Sequence, residues 1–194
     1  MKATVLVIGE GMLMDSVYTE LMDRYEVIHL SDFDEEIPKE IDIALVLHDT
    51  WKPAIHQQAE EVFQSVGIPW IRGFISFGEG MIGPLVHSAT PGCSQCADLR
   101  RLMAGRDRKE MWDIRLHLQE NDSEYPDVAA SSNGLLHMTY LICAEVLKVM
   151  EEARGQLEGH VLLINLQTLS ISRHSFLPDP LCYVCSKLPD DSPT

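Results

Sequence analysis

Apolar residues fall into two kinds of pattern along the chain. Thr4 to Ile8 is an unbroken β-branched and aliphatic run, as expected of a strand covered on both faces. Gly9-Glu10-Gly11 follows, and then apolar residues at helical spacing through Leu13, Val17, Leu21 and Met22 to Arg24. Glu26 to Leu30 is a second short strand, which completes a βαβ opening with a Gly-x-Gly turn. Ile41 to Leu47 predicts another buried strand, ending in His48-Asp49-Thr50-Trp51. Lys52 to Val66 predicts a helix, with Pro53 in its first turn and Gly67 closing it. Ile68 to Ile75 resumes extended structure, and Gly73, Gly78, Gly80 and Gly83 punctuate a hairpin-like region. The longest helical pattern runs from Ala129 to Arg154 through Leu135, Met138, Ile142, Val146 and Met150, with Ser131, Ser132 or Asn133 as its cap. His160 to Leu166 and Leu169 to Phe176 read as strands.

This order predicts an α/β fold with a Rossmann-like, mostly parallel sheet. One domain is expected over residues 1–188, then a polar, proline-flanked tail or linker over 189–194. Two segments break the pattern. Ser31 to Glu40 is an acidic loop carrying Asp32, Asp34, Glu35 and Glu36. Ala97 to Asp127 is rich in charge (Arg100, Arg101, Arg106, Arg108 and Lys109 among others) and reads as a helical, partly mobile surface crossover.

The net charge of −15, from 30 acidic and 15 basic residues, argues against nucleic acid or an anionic membrane as a partner and suits a basic peptide or protein. No stretch approaches the roughly 20 apolar residues of a membrane span. The first apolar run is too short for a signal peptide, so the expected compartment is the cytoplasm.

The most specific chemistry lies in Cys93-Ser94-Gln95-Cys96 and Cys182-Tyr183-Val184-Cys185. Two Cys-x-x-Cys pairs suit one Zn²⁺ held by four thiolates, which leaves no open coordination position and so describes a structural metal. Two disulfides would leave Cys143 over, and a thioredoxin-like redox site needs only one pair beside a βαβ unit. Cys143, on the long helical stripe, reads as a core thiol. Gly9 and Gly11 read in two ways: a cradle for a nucleotide phosphate at a helix N-terminus, or a tight turn that needs small residues. Glu10 beside them has the wrong sign for phosphate, and Met14 stands where a third glycine would. Met81, Met111, Trp112, Met138 and Met150 either fill the core or supply adaptable apolar surface for a homodimer, through the hairpin or the long helix.

The order of parts resembles the ubiquitin-activating-enzyme-like ThiF/MoeB family, whose members adenylate the C-terminus of small carrier proteins. Gly83-Pro84-Leu85-Val86, Pro91-Gly92-Cys93-Ser94-Gln95-Cys96-Ala97-Asp98-Leu99 and Pro180-Leu181-Cys182-Tyr183-Val184-Cys185 look more narrowly like the ThiF-like proteins of thiazole/oxazole bacteriocin biosynthesis. That resemblance implies a zinc-bearing fold that works beside a YcaO-type cyclodehydratase and helps present a precursor peptide. Adenylating members hold Mg²⁺ with an Asp-x-x-Asp-Asn-like motif after the strand that ends here near Leu47, and they carry an Arg and a Lys for the ATP phosphates. Here only Asp49 is placed for the metal, and Lys39 is the sole cation between Leu30 and Leu47. The implied nucleotide half is truncated, and its residues reduce to Gly9, Gly11 and Asp49. The resemblance thus implies a non-adenylating relative with no catalytic residue of its own, ATP being used by the partner; an active adenylyltransferase is the alternative. A dinucleotide-dependent oxidoreductase fits the Cys pairs poorly. The family's leader-gripping winged-helix module usually precedes this fold. The βαβ unit begins at Ala3, so leader binding is expected to need more than this chain, as a piece of a larger protein.

Overall fold

The computed structural model describes residues 2–87, 92–105, 107–121, 131–152 and 154–186. Its elements run β1 (Thr4–Glu10), α1 (Met12–Met22), β2 (Glu26–Leu30), β3 (Ile43–His48), α2 (Pro53–Val66), β4 (Trp70–Ser76), β5 (Glu79–Val86), α3 (Ser94–Ala104), α4 (Arg108–Glu120), α5 (Ser132–Glu152), β6 (His160–Asn165) and β7 (Ile171–Ser175). The seven strands form one sheet in the order β2-β1-β3-β4-β5-β6-β7.

The sheet is mixed, which corrects the expectation of a mostly parallel one. β2-β1, β1-β3 and β3-β4 pair in parallel, whereas β4-β5, β5-β6 and β6-β7 pair antiparallel. The reversal is local in origin. Ser76 pairs with Glu79, so only Phe77 and Gly78 join β4 to β5, both at positive φ (56° and 74°). A two-residue link of that hand turns the chain straight back, whereas a parallel partner needs a long crossover. The parallel half is also short. Residues 31–42 between β2 and β3 form no helix or strand, and Phe33, Ile37 and Ile41 pack against the sheet instead.

Alternation along β1 separates the two layers. Val5 and Val7 face a core built with Leu13, Val17 and Leu21 of α1 and Met138, Ile142 and Val146 of α5. Leu6 and Ile8 face the other side, with Ala59 and Phe63 of α2 and Trp70 of β4. All four β1 side chains are fully buried, worth roughly 1.5–3 kcal/mol each by transfer from water. Their continuous apolar run is the consequence of helices on both faces.

α2 closes as its sequence predicts, with Gly67 in the left-handed conformation at the C-cap. α5 is shorter than the predicted span: Ser131 Oγ accepts the Gly134 N–H at 3.0 Å and starts the helix there. The described part of the charge-rich crossover is helical, as expected, in two helices, and α3 begins within the first Cys pair. The crossover's last part, over 122–127, and the expected tail lie outside the described residues. Met81 and Met138 are buried, so these two fill the core; Met111 and Met150 are half-buried and Trp112 is exposed. No helix among the described residues is long and apolar enough to cross a membrane.

Candidate metal centre

Pro91-Gly92 precedes the first Cys pair, and Gly92 takes φ +86° with a Phe176 ring carbon 2.8 Å from where a Cβ would stand. The chain turns there into α3, whose N-cap is Cys93 and whose first turn carries Cys96. The second pair sits on turns after β7, closed by the Cys182 N–H on Asp179 O and the Ser186 N–H on Cys182 O.

The two pairs, 89 positions apart, meet. Their four Sγ atoms lie within 4.8 Å of one another. Cys93 and Cys96 are 3.8 Å apart, Cys93 and Cys182 3.6 Å, and Cys96 and Cys185 3.5 Å. A disulfide would bring two sulfurs to about 2.05 Å. Thiolates at about 2.3 Å from a tetrahedral ion stand about 3.8 Å apart. The measured separations belong to the second arrangement, so the residues fit one metal ion held by four sulfurs. Cys93, Cys96 and Cys182 are buried, and Phe176 and Val184 pack around them.

Thiols this close do not ionise independently. The hydrogen bond from Cys93 stabilises the Cys96 thiolate and lowers its pKa to about 4, with a further bond from the Asp179 N–H at 3.3 Å. The same bond, together with burial, raises Cys93, and burial pushes Cys185 up to about 12. A divalent cation would supply the charge that lets the remaining thiols deprotonate. Cys143, half-buried away from this cluster, is raised to about 12 by burial, as suits a core thiol.

Behind the first Cys pair lies a buried polar network that the sequence reading missed. The fully buried Arg72 of β4 makes a bidentate pair with Asp98 of α3, at 2.6 and 2.9 Å. It also donates to Gly83 O at 3.0 Å and Ser94 O at 3.2 Å. Glu60 of α2, also fully buried, accepts the Ser94 N–H at 2.9 Å and hydroxyl at 2.5 Å. Burial raises the Glu60 pKa, and the two Ser94 bonds offset part of that. His56, beside Arg72, is held well below the usual histidine value by burial and then by that guanidinium, so it stays neutral. The available signal was Arg72 itself, a charge in the middle of Trp70-Ile71-Arg72-Gly73-Phe74-Ile75.

At the C-terminal ends of β1, β3 and β4, where open α/β sheets usually place ligands, the chain meets itself. The Asp49 carboxylate accepts the N–H groups of Met12 (2.7 Å) and Leu13 (2.9 Å), the first two amides of α1. A side chain thus takes the position at the helix N-terminus where an anion would bind. Gly9 and Gly11 answer to close approach: a Cβ would stand 2.0 Å from Leu47 O and 2.6 Å from Asp49 Oδ2, and both residues have positive φ. Trp51 is buried, stacked on Phe74 at 6.1 Å and capped by the Arg101 guanidinium at 5.0 Å.

No protein-family model matches the sequence, and no curated relative matches it. Solved structures do match the fold. The chain aligns over 95% of its length with 27% of the heterocyclase TruD, at 16% identity and a TM-score of 0.68. It aligns over 93% with 67% of a chain of the E. coli microcin synthetase McbBCD complex, at 12% identity and 0.71. It also aligns over 95% with 66% of E. coli MccB bound to AMPCPP and MccA, at 16% identity and 0.66. The chain shares their fold. It spans only part of each solved chain, from 27% to 67% of the length.

Proposed function

We propose that this chain is a ThiF-like scaffold in the maturation of a thiazole/oxazole-modified ribosomal peptide, assisting a YcaO-type cyclodehydratase and presenting the precursor. It carries no catalytic residue in this reading, and one structural Zn²⁺ is held by Cys93, Cys96, Cys182 and Cys185. The fold likeness to a heterocyclase and to a microcin synthetase complex supports the setting. The observation that carries the scaffold role is Asp49 on the α1 N-terminus: the groups that would receive a phosphate already hold a carboxylate of the same chain. Zinc would supply folding free energy by joining two distant segments, and four sulfurs leave it no position for substrate.

An adenylyltransferase reading is favoured by one observation, the AMPCPP-bound MccB among the fold neighbours. Two measurements separate the readings. Calorimetry with Mg-ATP is expected to give no heat of binding. The chain, added to a YcaO-type enzyme and a precursor encoded beside it, is expected to raise ring formation, read by mass spectrometry as loss of one water per ring. Micromolar ATP binding together with pyrophosphate exchange would transfer the assignment to the adenylyltransferase. Metal analysis is expected to find one zinc per chain, and a metal-free preparation with four freely alkylated thiols would remove the metal from the reading.

A further inference from the structure

The two halves of the metal centre are held by different means. In the first half, Cys93, Ser94, Gln95, Cys96 and Asp98 are each at most 4% exposed. The backbone there is fastened by side chains from other elements: Glu60 of α2 on Ser94 N–H and O–H, Arg72 of β4 on Ser94 O and Asp98, and Arg115 of α4 on the Gln95 amide oxygen. None of these bonds involves a sulfur. They fix the path of the chain from Cys93 to Asp98 through the core of the domain.

Among the described residues, the second half has no such anchors. Leu177, Leu181 and Tyr183 are 72%, 83% and 71% exposed. The backbone hydrogen bonds of 179–186 close local turns, Cys182 to Asp179, Leu181 to Asp179 and Ser186 to Cys182. Among the described residues, the hydrogen bonds that leave this segment end at or run between cysteine sulfurs: Asp179 N–H to Cys96 Sγ, Cys182 to Cys93 and Cys185 to Cys96. The last backbone bond before it is Phe176 N–H on Gly159 O, between the residue after β7 and the residue before β6.

We propose that the centre is a rigid half-site with a metal-fastened latch. Glu60, Arg72 and Asp98 are positioning residues that keep Cys93 and Cys96 in ligating shape without metal, and residues 177–186 stay docked only while the metal joins them to that half. The proposal rests on the metal reading above. Its consequence is a local one: losing the metal frees the C-terminal segment and leaves the sheet folded. Metal affinity, in turn, depends on side chains that touch no metal, as outer-shell partners of ligands commonly do.

The test uses the full chain, loaded with zinc and then stripped by a chelator, with amide hydrogen exchange read by mass spectrometry. Metal content is measured first: if the chain takes up no zinc, the metal reading fails, and the latch with it. With zinc bound, stripping is expected to speed exchange in 177–186 by at least about 10-fold while 94–102 and β1, β3 and β4 keep their protection. Unfolding of the whole sheet, equal opening of both Cys loops, or an unchanged 177–186 would overturn the proposal and leave the metal reading standing. Cys182→Ser with Cys185→Ser is expected to reproduce the stripped pattern, and loss of protection over 94–102 in that variant also counts against it. Chelator competition tests the positioning role. Glu60→Ala is expected to weaken zinc binding about 10–100-fold, and Glu60→Gln, which keeps an oxygen acceptor for Ser94, to restore most of it. Should Glu60→Ala fail to fold, Glu60→Gln against Arg72→Lys makes the same comparison. Wild-type zinc affinity in every variant that folds would remove the positioning role.

Discussion

Replacing Arg72 by methionine removes one partner of a pair in which neither side chain is exposed to solvent. Asp98 would lose two hydrogen bonds, at 2.6 and 2.9 Å, and Gly83 O and Ser94 O would lose their Arg72 donors. Breaking a buried ion pair from one side costs about 3–5 kcal/mol, because the remaining charge keeps its desolvation penalty and loses its partner. Solvent screening gives no discount at zero exposure. For a domain of this size, 1 kcal/mol lowers the melting temperature by about 2–4 °C, so a drop of roughly 6–20 °C is expected. The measurement is urea unfolding in excess zinc, comparing midpoints at unchanged slope. Arg72→Met combined with Asp98→Leu removes both charges and is expected to recover most of the loss, since an apolar pair of similar volume carries no desolvation penalty. A single variant that loses under about 1 kcal/mol would refute this account of the network, as would a double variant no more stable than the single.

Two further outcomes follow from the same structure. Glu145 of α5 is buried, which raises its carboxyl above the ordinary 4.5, with the Leu157 N–H at 2.8 Å offsetting part of the shift. A raised acid makes the folded state bind more protons than the unfolded one, so its contribution is complete below pH 4.5 and is lost as pH rises through the folded pKa. Glu145→Gln is therefore expected to match wild-type stability at pH 4 and exceed it at pH 7, in urea melts at both. Asp49→Ala is expected to cost about 0.5–2 kcal/mol by leaving the Met12 and Leu13 amides without their acceptor, and a variant as stable as wild type in the same melts would contradict it.

The parts of the fold legible in the sequence are those set by local periodicity. The runs at Thr4–Ile8 and Glu26–Leu30, the helices after Gly11 and Lys52, and the strands after Gly159 all reflect which neighbours share a face. Strand direction is different in kind. The same apolar run suits a parallel or an antiparallel strand, and the decision rests on the length of the link, here two residues headed by Phe77 at positive φ. The glycines at 73, 78, 80 and 83 mark the region as hairpin-like, and the β4–β5 pair is that hairpin; what they leave open is how the antiparallel half continues into β6 and β7, whose pairing is set by tertiary contact. The cysteine cluster was legible for a related reason: each Cys-x-x-Cys spacing is local, and only the meeting of the two pairs is tertiary.

The rest of the site was illegible because its meaning lies in pairs far apart in the chain. Asp49 reads equally as a metal ligand or a ligand-end carboxylate until the ends of β3 and α1 are brought together; then it caps a helix 37 positions away. Arg101, one cation among several in the crossover, has its guanidinium over Trp51 and Phe74. Arg72 and Asp98, 26 positions apart, each break a rule of their own element, a charge inside a buried strand and a carboxylate inside a buried helical turn. Each violation is costly alone and tolerable as a pair. Two such violations in elements that are to pack together are a physical reason to place them in contact, and they meet directly beneath the cysteines that the sequence marks most clearly.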